Sequence, residues 1–347
     1  MRCGDFRQSY AEDMALFDSP LPRVLLGLLL AVMLVLPQFA TTYWLDVLNR
    51  IFIAIIAAAG LNVVTGYTGL ISLGTAAFLA VGGFATAALA GKAGLPFVLV
   101  VPISGLITAA VGLVFGIPSL RLKGLYLAVA TLAAHYIVEF TVTHWDTMTG
   151  GVSGISVPAA QFAGITLEND RKIYYLIFPL MVLLLFFTKN LFRTKVGKAF
   201  IAIRDQDISA EVMGVNVFRY KLLSFAVSSF LVGVAGSLLA YQARIISPEN
   251  FPITLAIDYL GMIIIGGLGS ILGSIYGAIF ITLLPEMLRL ATDSLSNQFP
   301  ALIGLLAPLK SGVFGLVVIL FLIFEPDGMA ARWHHVKAYW KLYPFSY

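Results

Sequence analysis

Residues 45–65 read LDVLNRIFIAIIAAAGLNVVT, and the chain continues from Asn62 to Phe78 as NVVTGYTGLISLGTAAF. The first stretch has the length a helix needs to cross a hydrocarbon layer, about 20 residues. The second places amide, hydroxyl and phenol groups at membrane depth, between glycines at 66, 69 and 74. Backbone can unwind at that depth only where protein or a water-filled cavity receives the freed polar groups. A path for a polar solute suits such a break, and Asn62, Tyr67, Ser72 and Thr75 are the candidate pathway residues.

Nine further apolar runs surround this one, at residues 24–39, 70–90, 95–117, 124–142, 173–188, 222–243, 253–268, 270–290 and 303–324. The fold class is therefore all-α: a polytopic integral membrane protein of about ten transmembrane helices. Three runs are candidates for broken or partial spans. The second holds Asn62, the sixth holds Pro179, and the eighth holds Asp258 and ends in Gly266-Gly267. Composition agrees. Of 347 residues, 59% are apolar and only 12% charged, where a soluble domain carries about a quarter. A soluble fold of this length could not cover so much apolar surface. The single cysteine, Cys3, forbids an internal disulfide and a cysteine metal site.

The net charge of +4 raises the question of nucleic acid, but the basic residues mark sidedness instead. With ten crossings and the N-terminus inside, segments 1–23, 118–123, 189–221 and 325–347 hold fifteen of the 22 Lys and Arg. Basic residues gather on the cytoplasmic side, so both termini are expected there. The expected organisation is an N-terminal cytoplasmic segment (1–23), a transmembrane domain (24–324) and a C-terminal tail (325–347). The first run reads as an uncleaved anchor, because no small-residue cleavage site follows it and no basic region precedes it.

The inner segment 189–221 predicts a folded loop with two short helices meeting at Arg204-Asp205-Gln206-Asp207. Gly197 precedes the first, and Gly214 ends the second. Ala199, Phe200 and Ile203, then Ile208, Val212 and Met213, recur at helical spacing, and Asp207 is placed as a cap. Neither helix is long enough to stand alone in water, so each must bury its apolar stripe against a neighbour. That neighbour is another protein or, on the plainer reading, anionic lipid attracted by the loop's basic residues. The outer joint, 143–172, is long enough for structure of its own. It caps a vestibule and meets a delivering protein, or it is an ordered surface loop.

Glycines 269, 273 and 277 recur every fourth residue, and Gly112 and Gly116 repeat the spacing. A bare stripe of this kind serves close helix packing. Residues 266–273 also echo the Gly-x-x-Gly of residues 66–69, about 200 positions later. Among ionisable groups in or near the spans, His135 and Glu139 lie one turn apart and can pair, with a proton relay as the functional alternative. Glu286 and Arg289 sit near a helix end, where snorkelling relieves their cost. His135, Glu139 and His144 make no tight metal cluster. Nucleophile-and-base pairs are not visible at usable spacing, so an intramembrane enzyme is not indicated. Gly197-Lys198 lacks the upstream glycine and following hydroxyl of a phosphate-binding loop, so any ATP must be used by a partner.

Six blocks in order carry a family resemblance: NVVTGYTGLISLGTAAF (62–78), PSLRLKGLYLAVATL (118–132), TGGVSGI (149–155), TKVGKAFIAIRDQDISAEVMGVNVFRYKLLSF (194–225), ISPENF with IIIGGLGSILG, and LFLIFEPDGM. From about Leu45 to Met329 the chain resembles the LivM-type permease subunits of ATP-driven branched-chain amino acid importers. The resemblance implies an inner-membrane complex of two permeases, commonly this type with a related second one, two cytoplasmic ATPases that bind ATP and magnesium, and a soluble substrate-binding protein. This chain would hold no cofactor of its own. Gly197, Ala202, Arg204, Asp205, Asp207, Glu211 and Gly214 then fall in the element that docks on the ATPase. Related permeases for urea or short amides share the framework. An ion-coupled secondary transporter is the reading from a different class.

Overall fold

The fold is taken from a computed structural model that describes residues 20–119, 122, 124–162, 165–167, 169–296, 306–325 and 327–342. Most of the N-terminal segment, including Cys3, lies outside the described residues.

Among the described residues, thirteen helices of six residues or more carry the fold. Helix α1 (Pro20–Val35) precedes α2 (Thr42–Asn62), which runs into a π-helical turn, Val63–Tyr67. After a non-helical stretch come α3 (Thr75–Ala87), extended by a second π turn, then α4 (Phe97–Ser119) and α5 (Leu125–His144). Helix α6 (Asp170–Arg193) leads to the short α7 (Lys195–Asp205) and α8 (Asp207–Val212), and then to α9 (Val217–Ala243). The chain closes with α10 (Ile253–Gly266), α11 (Ile271–Ser296), α12 (Leu306–Phe324) and α13 (Gly328–Leu342). Eight helical segments among the described residues are long and apolar enough to cross a membrane. A shorter apolar helix covers Val24–Gln38, and α12 covers residues 306–324 of the last expected run.

Burial separates these helices by role. The span 42–67 has 89% of its most apolar window buried inside the chain, against 28% for α6. An apolar helix hidden on all sides is a core element, so the sequence that decides the fold class also forms its axis. Helix α1 instead exposes Val24, Leu25 and Leu28. It is tied down at its end by the Tyr174 and Tyr175 hydroxyls, which donate to the Met33 and Leu34 carbonyls at 2.8 and 3.1 Å.

Helix α9 packs on α2, α3 and α4 through small residues. A Cβ on Gly82 would overlap the Gly233 carbonyl, one on Gly236 would overlap the Leu79 carbonyl, and one on Gly233 would overlap Thr108. Where lipid is as apolar as the side chains, such close backbone approach and interhelical hydrogen bonds supply the association energy. Thr86 Oγ1 lies 2.7 Å from Ser237 Oγ and 2.9 Å from Ser104 Oγ, joining three helices. Of the expected packing glycines, Gly112 meets Ser229 and Gly116 lies at ordinary distance from Leu222 and Phe225. Gly273 and Gly277 admit the backbone of α10 at Gly266 and Met262. Gly269 does not belong to that stripe: it precedes α11 in a turn with φ +74°, a conformation glycine adopts without a Cβ penalty. The contacts of Gly82, Gly233 and Gly236 escaped the sequence reading. Ser229-x-x-x-Gly233-x-x-x-Ser237 is the small-residue repeat that announces them.

Two expected boundaries also shift. Pro179 does not interrupt the sixth run, since α6 is continuous for 24 residues around it, as a membrane helix permits when neighbours satisfy the freed carbonyl. The third run becomes helical only at Thr75. Before that, the Leu70 amide donates to the Val64 carbonyl at 3.0 Å and the Leu73 amide to Thr131 Oγ1 at 2.9 Å. Those bonds replace helical ones.

Contacts along α2 define two ends of the molecule. At one end Tyr43 bonds Glu286, Gln242 Nε2 donates to Asp46 Oδ1 at 2.8 Å, and Asn49 Nδ2 donates to the Asp170 carbonyl at 3.2 Å. At the other, Asn62 and Gly66 meet the α10–α11 joint and loop 189–221. About 20 helical residues separate these ends, roughly 30 Å. The long joint 143–172 lies at the first end and does form its own structure. Ile155–Ser156 (β1) pairs antiparallel with Ile245–Ile246 (β4), while Ala160–Phe162 (β2) pairs with Ile165–Leu167 (β3). Gly150, Gly151 and Gly154 all have positive φ there, and a Cβ on Gly154 would overlap the Ile246 carbonyl.

Candidate functional site

The loop and the helix break beneath it form one assembly. Helix α7 buries Gly197, Ala199, Phe200 and Ile203 against the rest of the chain. Phe200 is fully covered and stands edge-on to Tyr220 at 6.4 Å. Helix α8 behaves differently. Only Ala210 is buried, while Ile208 is 65% exposed and Val212 and Met213 are each 83% exposed.

The expected loop residues divide in the same way. Ala202 is half-buried, and Arg204, Asp205, Glu211 and Gly214 are exposed. Gly214 ends α8 with φ +86°. Gly197 does not precede a helix but lies inside α7, where a Cβ would overlap the backbone of Leu191 and Phe192. Asp207 is not the cap of α8: Gln206 holds that position, and Asp207 opens the helix with a carboxylate 3.6 Å from Lys221 Nζ. Its negative charge in the first turn still complements the helix dipole. The side-chain cap in this region is Asn216, whose Oδ1 accepts from the Arg219 amide at 3.0 Å at the start of α9.

The break is held by hydroxyls and one amide. Thr68 Oγ1 donates to the Val63 carbonyl at 3.0 Å and Thr65 Oγ1 to the Leu70 carbonyl at 3.2 Å, so unwound backbone is satisfied inside protein. Asn62 is buried and fully engaged. Its Nδ2 donates to the Ser270 carbonyl at 2.8 Å and Ser274 Oγ at 2.7 Å, and its Oδ1 accepts from the Gly269 amide at 2.9 Å. The two Gly-x-x-Gly segments that echo one another in sequence thus meet in space. Tyr67 is half-buried and stacks on Phe192 at 3.4 Å between ring centres. Ser72 and Thr75 are buried, and Ser72 Oγ accepts weakly from the Gly74 amide at 3.4 Å.

Away from the break, His135 Nε2 lies 3.7 Å from Glu139 Oε2, the expected pairing, with His135 buried and Glu139 about half exposed. Neither His135 ring nitrogen has a hydrogen-bond partner among the described residues. His144 is turned elsewhere, with Nδ1 2.9 Å from the Phe140 carbonyl of its own helix. Glu286 pairs with Arg289 at 3.6 Å, not at a helix end as expected but inside α11, which continues to Ser296, and the Arg289 guanidinium lies 4.8 Å over the Tyr43 ring.

A many-helix membrane protein with interrupted spans and a folded loop presenting an open apolar face has the form of a transporter's membrane component. Comparison with known proteins carries this to the family level: the chain belongs to the family described as "branched-chain amino acid transport system / permease component", whose model matches residues 43–322. It is 32% identical to the high-affinity branched-chain amino acid transport system permease protein LivM of Escherichia coli, over 88% of this chain and 74% of that one. It is 31% identical to LivM of Salmonella typhimurium with the same coverage. Similarity extends to the fructose import permease protein FruG of Bifidobacterium longum, 27% identical over 76% of each chain. No solved structure matches the chain.

Proposed function

We propose that this chain is the permease subunit of an ATP-driven importer of branched-chain, hydrophobic amino acids, and that it conducts substrate while partner subunits use the nucleotide. The observation that carries the coupling half of this reading is the open apolar face of α8. Ile208, Val212 and Met213 project from a loop whose other helix buries Ala199, Phe200 and Ile203. Exposed apolar side chains grouped on one short helix fit a docking partner. Two ATPases on the loop side, a second, related permease and a soluble binding protein at the opposite end complete the assembly. The complex resides in the inner membrane with both termini cytoplasmic.

The mechanism needs no bond chemistry from this chain. ATP draws the ATPases together, the docked loop is displaced, and the helices move between two arrangements whose balance the nucleotide shifts. The pathway runs beside the break, where Tyr67, Ser72 and Thr75 offer polar groups. Asn62 holds the shape of that break through the α10–α11 joint. The branched-chain substrate follows from the similarity to LivM proteins, and the similarity to a fructose permease supplies the competing reading.

Competition of labelled leucine uptake tests the substrate. The complex purified through a tag on this chain and placed in vesicles with its binding protein should lose leucine uptake when unlabelled isoleucine or valine is added, and keep it with fructose or urea. Leucine uptake displaced by fructose or urea, and not by valine, would replace the amino acid reading.

A further inference from the structure

Arg204 has two surroundings at once. More than a third of its residue surface is exposed on the loop, yet Nη1 reaches down and donates to the Gly66 carbonyl at 2.8 Å. Gly66 belongs to the π turn at the end of the core helix. On the other side, a Cβ on Gly269 would overlap this same Nη1, and one on Gly66 would overlap the Gly269 amide. Gly69 lies along the arginine stem, its Cβ position 3.3 Å from Arg204 Cγ. Gly69 and Gly269 have nearly equal positive φ, 75° and 74°. Two glycine turns from distant parts of the chain therefore close around one arginine, and Asn62, one helical turn before Gly66, bonds to Gly269 and Ser270 of the second segment.

We propose that Arg204 is a positioning residue that links the loop to both helix breaks, so that displacement of α7 pulls on the end of α2 and on the α10–α11 joint together. This deepens the coupling role proposed above and rests on it. The physical case is the shape of the connection. A charged donor on a carbonyl makes a strong, directional bond, and it connects to places where the helical ladder is already interrupted. Helices whose backbone is continuous resist bending, whereas broken ones pivot at a few residues. Tyr67 adds a second attachment, since it stacks on Phe192 at the base of the loop. Arg204 thus faces inward as a transmitter, while α8 faces outward as the docking surface.

The test uses the full complex, purified through this chain and reconstituted in vesicles with its binding protein, with radiolabelled leucine and ATP as probes. Three quantities are read: ATPase recovered with the chain, ATP hydrolysed, and leucine accumulated per ATP. Arg204→Met should retain ATPase recovery within twofold and lower leucine per ATP at least tenfold. Arg204→Lys, which keeps the charge and one reach to Gly66 but loses the fork, should fall only two- to fivefold. Val212→Asp, on the docking face, should instead lose the ATPase. Unchanged leucine per ATP in Arg204→Met overturns the link, as does loss of ATPase in parallel with transport, which would make Arg204 a docking contact. If Arg204→Met does not reach the membrane, Arg204→Lys decides: a ratio equal to that of the unmodified chain overturns the link. An unmodified chain that recovers no ATPase overturns the coupling role itself and the link with it.

Discussion

Helices α7 and α8 are neighbours with similar amphipathic patterns, yet they end in opposite circumstances. Helix α7 buries Phe200 and Ile203 in its own chain, while α8 leaves Ile208, Val212 and Met213 open. Both are too short to persist in water without burial. The contrast is that one half of the loop is fastened to the membrane domain and the other leaves its apolar side chains uncovered. A loop built this way can carry a force, because it has a fixed grip at one end and an available one at the other.

The largest expected effect lies on the fastened half. Phe200→Ala empties a fully covered site and should cost about 3–5 kcal/mol, read as a large drop in unfolding temperature in detergent. The matched change on the open half, Met213→Ala, should stay within about 0.5 kcal/mol in the same assay. Equal losses at the two positions would erase the distinction between the helices.

An intermediate effect is expected beneath the loop. Asn62→Leu leaves the Gly269 amide without its partner, while the Ser270 carbonyl keeps the Ser274 amide and hydroxyl, at about 1–3 kcal/mol for the one group left unsatisfied. Unfolding measured beside Phe200→Ala would show whether the knot or the packed helix contributes more. Smaller still is the ion pair that steadies the start of α8. Lys221 is buried and Asp207 is 27% exposed, 3.6 Å apart, so Asp207→Asn should cost about 1–2 kcal/mol with little dependence on salt.

The smallest effect is far from the loop, at the entry to α13. Glu325 accepts from Arg332, and this bond holds its carboxyl below the usual range. A depressed carboxylate stabilises the fold above its unfolded value and loses that contribution as pH falls through its folded one. Acidification below about pH 4.5 should therefore loosen the tail contact, and Glu325→Gln should remove that dependence, as followed by amide exchange in α13. Exchange that rises with acid equally in both proteins would detach the effect from this pair.

Much of this architecture was legible in the chain because lipid imposes long apolar runs and makes every polar exception conspicuous. Asn62, the loop helices and the weakness of the eighth run all stood out for that reason. What stayed hidden was partnership across distance. Nothing local tells Asn62 that its partners are Ser270 and Ser274, more than 200 residues away. The sequence showed the recurrence of Gly-x-x-Gly, and the structure adds that the two copies touch. Arg204 was legible as a loop residue but not as one that reaches inward, since helix periodicity does not say how far a long side chain bends. Gly269 looked like the first member of a packing stripe, because spacing alone cannot separate a helical glycine from one that makes a turn.

As proposed, this chain is a gate driven by a partner's nucleotide cycle. Leucine accumulation in vesicles tests it directly, comparing the chain alone with the chain plus its co-purified ATPases, second permease and binding protein, each with and without ATP. Accumulation is expected only in the complete set with ATP. Accumulation by the chain alone, driven by an ion gradient, would contradict it.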